Sequence, residues 1–95
     1  MRAHAIANGT YVAAANRVGH ELPPEGDAKG GIEFWGASFL ADPFGRILKR
    51  ASYDQEEVLV VTCDRKLMED VRRNWPFFRD RRIDFYGGIT KRVAD

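Results

Sequence analysis

The sequence predicts an α/β body that is only part of a layered domain, and three features predict it. Two runs, residues 11–18 (YVAAANRV) and 57–63 (EVLVVTC), keep Val12 to Ala15 and Val58 to Val61 free of polar side chains, as strands covered on both faces do. Asp64 followed by Leu67, Met68, Val71 and Trp75 has the cap and the spacing of an amphipathic helix. Between the two runs, residues 34–51 (FWGASFLADPFGRILKRA) read as a β-hairpin. Two doubly covered strands need two covering layers, whereas this chain of 95 residues offers about one and a half helices and an arm. The expectation is a piece of a larger body, incomplete as a stand-alone domain, with the missing layer supplied by another chain or by an absent part of this one.

The hairpin turn is spelled by Asp42-Pro43-Phe44-Gly45. Asp in the first position accepts from the backbone, Pro in the second fixes φ near −65°, and Gly in the fourth tolerates the left-handed conformation that returns the chain in register. Before the turn Phe39 and Ala41 face opposite to Ser38 and Leu40. After it Ile47 alternates with Leu48, while Arg46, Lys49 and Arg50 keep part of this arm wet.

Taken in order, residues 1–8 (MRAHAIAN) form a helix already under way, stopped by Asn8-Gly9. No capping residue precedes it, so Met1 reads as a cut through a longer helix. The strand at 11–18 follows, with Asn16 and Arg17 at its carboxyl end, where open α/β sheets place ligands. Residues 20–31 (HELPPEGDAKGG) read as a long loop, either a solvated connector or a functional one. The helix after Asp64 stops at Pro76, which lacks an N–H and clashes with the preceding turn. The tail 76–95 mixes aromatics with basic residues, has no clear period, and reads as an irregular arm that must lie on something.

Composition narrows the function classes. A net charge of +1 implies no bulk attraction to nucleic acid or membrane. One cysteine makes no internal disulfide, two histidines with one cysteine make a poor zinc set, and a reducing, cytoplasmic setting fits best. No cofactor-binding spacing is present: Gly30, Gly31 and Gly36 do not space as a phosphate cradle. Cys63, between a strand end and a helix start, is a candidate nucleophile; its competing reading is a small hydrophobe continuing the Leu59/Val61 face. His4 and His20 could serve as bases, yet nothing orients either toward Cys63. Arg72, Arg73, Arg79, Arg81 and Arg82 interleave with Trp75, Phe77 and Phe78. Asp80 and Asp84 inside that run favour a subunit contact over a nucleic-acid surface, with Trp75, Phe77, Phe78, Arg79, Arg81 and Arg82 as its residues.

The segments RAHAIANGTYVAAANRVGHE, GIEFWGASFLADPFGRIL, EEVLVV and RRNWPFFRDRRIDFYG together resemble the C-terminal part of the nitrilase superfamily of carbon–nitrogen hydrolases. The likeness runs from Arg2 to about Arg92. The GIEFWG and NWPFFRDRR stretches look most like the superfamily's N-carbamoylputrescine amidase branch. The resemblance implies a portion of an α-β-β-α sandwich, residues 1–95 being the C-terminal part with 75–95 as an interface arm. It also implies an enzyme whose Glu base, Lys and Cys nucleophile all lie upstream of the matched region, acting without cofactor on a small amide or carbamoyl substrate. Cys63 is not that nucleophile, since VTCDRK lacks the family's aromatic-flanked elbow. On this resemblance Asn16, Arg17 and Glu21, with Phe34, Trp35, Gly36 and Ser38, border the substrate pocket. Glu21 could meet the ammonium end of a diamine, with Glu33 as its competitor. The partners implied are the rest of the hydrolase domain and a second subunit.

Overall fold

The computed structural model describes residues 1–24 and 30–93. Helix α1 (Arg2–Asn8) ends at Gly9, whose φ of 56° turns its amide back to the carbonyls of Ala5 and Ile6. The chain then makes strands β1 (Val12–Ala14), β2 (Val18–Glu21), β3 (Ile32–Trp35), β4 (Phe39–Ala41) and β5 (Ile47–Arg50). Helix α2 (Arg65–Asn74) follows, and a 3-10 turn (Tyr86–Thr90) lies in the tail. Strands β1, β4 and β5 form one antiparallel sheet in that order, and β2 pairs with β3 as a separate antiparallel ribbon.

The hairpin forms as its turn residues dictate. The Gly45 amide closes the turn on the Asp42 carbonyl at 2.8 Å, with Gly45 at φ 74°. The Asp42 side chain contributes more than a turn-starter: its carboxylate accepts from the Phe44 amide (2.9 Å), the Arg46 amide (2.9 Å) and the Arg46 guanidinium (2.7 Å). With only 1% of its surface exposed, Asp42 is a buried anchor whose lone pairs are met from the chain it turns. Helix α1 docks on the outside of this turn, where Arg2 donates to the Gly45 carbonyl and Ile6 fills the space a Cβ on Gly45 would need. Asp64 caps α2 by accepting from the amides of Lys66 and Leu67, as its position ahead of the apolar spacing predicts. Tyr11 ties that cap to the sheet, its hydroxyl accepting from the Asp64 amide at 3.0 Å.

Three sequence readings are corrected. The run 11–18 is not one strand: β1 stops at Ala14, and Val18 begins β2 in the other sheet. Asn16 breaks the run, because its side chain binds the Arg17 amide and the Gly36 carbonyl instead of extending a ladder. Consequently His20 and Glu21 belong to β2, not to a loop, while residues 25–29 of that expected loop lie outside the described residues. Residues 57–63 form no strand, since none of their backbone groups pairs with another among the described residues. The apolar pattern was there, but a strand needs a neighbour to bond, and among the described residues no backbone group comes into bonding range of this run's own.

Double coverage also fails within this chain. Val58 and Val60 are 87% and 79% exposed, and among the described residues the buried hydrophobic side chains are Ala5, Ala37, Ala41, Ala51 and Val71. The body measures 58 × 42 × 13 Å, a slab little thicker than one layer of secondary structure. Its radius of gyration is 19.8 Å, against about 12 Å for a compact domain of this length. Its surface of 8126 Å² likewise exceeds the roughly 5500 Å² expected of a closed fold. The slab is incomplete as a stand-alone domain, as the size argument anticipated.

Candidate functional site

The point where β1 gives way to β2 is held against the point where β3 gives way to β4, and this double junction forms the site. Gly36 and Ala37 both sit at φ 57°. At Gly36 a Cβ would stand 2.5 Å from Val18 Cγ1 and 2.9 Å from the Ser52 carbonyl, so both the backbone conformation and the space demand glycine. Ala37 holds the same left-handed conformation with a side chain present, a local strain that the surrounding bonds sustain. The Gly36 amide donates to the Arg17 carbonyl (2.8 Å) and the Ala37 amide to the Ser52 carbonyl (2.9 Å). Ser38 completes the clasp by accepting from the Asn16 amide at 2.8 Å and donating to the Asn16 carbonyl at 3.2 Å.

The structure thus brings together six of the seven expected substrate-site residues. Asn16 bonds directly to both Gly36 and Ser38. Arg17 lays its guanidinium 4.4 Å above the Phe34 ring and grips both carboxylate oxygens of Glu21. Those hydrogen bonds from Arg17 hold the Glu21 carboxyl below its ordinary range and raise Arg17 further. Trp35 stands apart: it pairs across the ribbon with Val18 and leaves most of its indole in solvent. Glu33, the competitor of Glu21, lies opposite His20 and is exposed.

A half-open cleft of about 340 Å³ lies beside the clasp, lined by Asn16, Arg17 and Ser38 on one side and by Ser52, Gln55, Glu56 and Glu57 on the other. The second wall escaped the sequence reading. Glu57 stood only as the start of a strand, and no local pattern tells that residues 52–57 fold back against Asn16. The Ser52 amide donates to Glu57 at 3.2 Å. The Ser52 hydroxyl and amide lower the Glu57 pKa, burial opposes them, and Lys49 adds a smaller pull, so the carboxylate is ionised at neutral pH.

Neither histidine nor the cysteine joins this site. Cys63 is exposed in the run before α2, so the buried-hydrophobe reading does not hold in this chain either. His4 is exposed on α1, its carbonyl taken by the Asn8 amide group, and His20 is exposed on β2. Among the described residues no three His, Cys, Asp or Glu side chains are grouped to hold a metal ion, and no helix is long and apolar enough to cross a membrane.

The arm is irregular, as its lack of period implies. Trp75 and Phe77 tilt toward each other with centroids 6.4 Å apart, bordering an apolar hollow with Ile6, Pro43, Phe44 and Val71. Trp75 nonetheless remains 60% exposed, and Phe78, Ile83, Phe85 and Ile89 are more exposed still. This chain by itself therefore does not bury Trp75. The arginines are occupied locally: Arg79 pairs with Asp80 (3.0 Å), Arg82 with Asp84 (2.8 Å), and Arg81 donates to the Phe78 carbonyl over that ring.

Residues 1–73 match the family model described as carbon-nitrogen hydrolase. Over 90% of the chain the sequence is 41% identical to an N-carbamoylputrescine amidase of Oryza sativa subsp. japonica and 40% identical to one of Arabidopsis thaliana, covering 29% of each. It is 33% identical over 97% of its length to an omega-amidase of Mus musculus, covering 30% of that protein. The crystal structure of a carbon-nitrogen hydrolase from Helicobacter pylori G27 superimposes on 98% of the chain with a TM-score of 0.81 at 53% identity, and 31% of that chain is covered. The chain therefore spans about 30% of the length of the relatives it matches, and its fold is a portion of the nitrilase-like α-β-β-α sandwich. On the matched residues 1–73 and this superposition, the chain belongs to the carbon-nitrogen hydrolase family.

Proposed function

We propose that the complete protein is an amidohydrolase that cleaves the non-peptide C–N bond of a small N-carbamoyl amine, of the N-carbamoylputrescine type. The observation that carries this reading is the 41% identity to an N-carbamoylputrescine amidase across 90% of the chain. The catalytic Glu, Lys and Cys lie outside residues 1–95, upstream of them. There the Glu carboxylate takes the thiol proton and the sulfur attacks the carbonyl carbon, while the Lys ammonium stabilises the oxyanion. Collapse of the tetrahedral adduct breaks the C–N bond, and the amine leaves with the proton returned from Glu. Water, deprotonated by the same Glu, then attacks the carbamoyl carbon of the S-carbamoyl intermediate. The C–S bond breaks, the sulfur takes the proton back from Glu, and the carbamate released decomposes to ammonia and carbon dioxide.

The part taken by residues 1–95 is the wall of the pocket. The Asn16–Ser38 clasp and the left-handed pair at Gly36 and Ala37 fix the backbone against which the substrate rests. The rest of the hydrolase domain covers the slab, a second copy of the protein covers the arm, and the protein works in the cytoplasm. The test is hydrolysis by the complete protein of N-carbamoylputrescine, β-ureidopropionate and a simple ω-amide, read as amine or ammonia release. N-carbamoylputrescine is expected to turn over fastest. Preference for the ω-amide would move the chain toward the omega-amidases, to one of which it is 33% identical. No turnover of any of the three would leave a non-catalytic interaction module with a nitrilase-like sheet.

A further inference from the structure

The residues that line the cleft divide into those whose polar groups are already used and those whose groups are free, and the division decides what the cleft can recognise. Ser38 both donates and accepts within the clasp. The Asn16 side chain donates to the Gly36 carbonyl and accepts from the Arg17 amide. Arg17 and Glu21 neutralise each other, with the guanidinium stacked on Phe34. These groups build the wall; they have little left to give a ligand. Across the cleft, Glu57 carries a full negative charge whose near partner is the Ser52 amide on one oxygen, at 3.2 Å. The Ser52 hydroxyl adds to that amide in lowering its pKa, and Glu57 forms no ion pair among the described residues. The charge that lines the cleft without an ion-pair partner among the described residues is therefore negative and sits on Glu56 and Glu57, not on Glu21. Of the two, Glu57 is the one that the Ser52 amide holds in place.

Resting on the carbamoyl-amidase reading, we propose that Glu57 is the residue that selects substrates by charge, its carboxylate receiving the ammonium at the far end of a diamine-derived N-carbamoyl substrate. The one cation among the described lining residues, Arg17, is already paired with Glu21. Asn16 and Ser38 are positioning residues that hold the opposite wall, and Glu21 serves to hold Arg17 over Phe34. An ammonium held by a carboxylate and screened from bulk water on two sides gains a charge-assisted bond that an uncharged chain of equal length does not. A carboxylate-ended substrate is repelled at the same place.

The test uses the complete protein and compares three substrates: N-carbamoylputrescine, its uncharged isostere N-butylurea, and β-ureidopropionate. In the unsubstituted protein kcat/KM is expected to favour N-carbamoylputrescine over N-butylurea. Glu57→Gln should cut that ratio about tenfold, mainly through KM for the cationic substrate. Glu57→Lys should carry the preference toward β-ureidopropionate, and ratios within a single variant are insensitive to how much of it folds. Glu21→Gln should move the ratio by far less. A ratio unchanged in both Glu57 variants overturns this proposal while leaving the amidase reading intact, as does a ratio that collapses in Glu21→Gln alone. An unsubstituted protein that turns over none of the three overturns both.

Discussion

Asp42 shows how one side chain can set a turn and give it a pH dependence. Burial raises its pKa, but the amide of Arg46, the guanidinium of Arg46 and the amide of Phe44 outweigh burial and hold the carboxyl below its ordinary value. Its folded pKa thus lies below the unfolded one, so its contribution to stability is complete above about pH 3.9 and is lost as pH falls through the depressed value. The melting temperature of the complete protein is expected to drop on acidification below about pH 4. Asp42→Asn should melt lower at pH 7 yet lose less over the same acid titration; parallel acid limbs for the two proteins would dismiss this role. The turn was legible in the sequence because Asp, Pro and Gly each have a single local reason to stand where they do. The triple engagement of the Asp42 carboxylate was legible only in part, since its bond to the Arg46 guanidinium depends on the register of a strand that has yet to return.

At the scale of elements, the two capped helices and the hairpin were readable, whereas the runs 11–18 and 57–63 were read too simply. Apolar residues without a polar face report that a segment is destined for coverage, and they say nothing of which neighbour supplies it. Residues 57–63 illustrate the difference. Glu57, Leu59 and Val61 line a trough of about 310 Å³ whose other walls are Ala13, Ala14 and Ala15 with Ser38, Phe39 and Leu40, while Val58 and Val60 face solvent. Strand β1 is an edge strand, paired with β4 alone among the described residues. An extended run and a sheet edge, both with unmet backbone groups, flank one trough, and buried amides are not left unbonded in a finished fold. The amides of Val58 to Thr62 are therefore expected to exchange slowly in the complete protein, on the scale of its core. Fast exchange there, in a protein whose β4 and β5 amides are protected, would show that the run stays unpaired. The site followed the same rule: Asn16 stood out at a strand's carboxyl end and Ser38 through the family resemblance, but Ser52, Glu56 and Glu57 meet them only through the return of the chain.

For the molecule as a whole, the thinness of 13 Å and the breadth of 58 × 42 Å mean that nearly every side chain meets solvent on at least one side. Burial of apolar area is the main favourable term in folding, and a single layer provides little of it. The tail concentrates the deficit. Trp75, Phe77, Phe78, Phe85 and Tyr86 are each about half exposed or more, together an aromatic surface larger than monomers ordinarily leave uncovered. Arg79 and Arg82 are already paired with Asp80 and Asp84, and Arg81 is turned to the Phe78 carbonyl, so attraction between this arm and whatever covers it rests mainly on the rings. High salt should accordingly leave the contact in place. In the complete protein the emission lost on Trp75→Phe is expected to be that of an indole shielded from water. Deleting residues 76–95 should lower both the oligomer size and the melting temperature. A hydrated emission together with unchanged size and melting would show that the arm lies free in the assembled protein, and that its aromatics serve neither the sandwich nor a second copy.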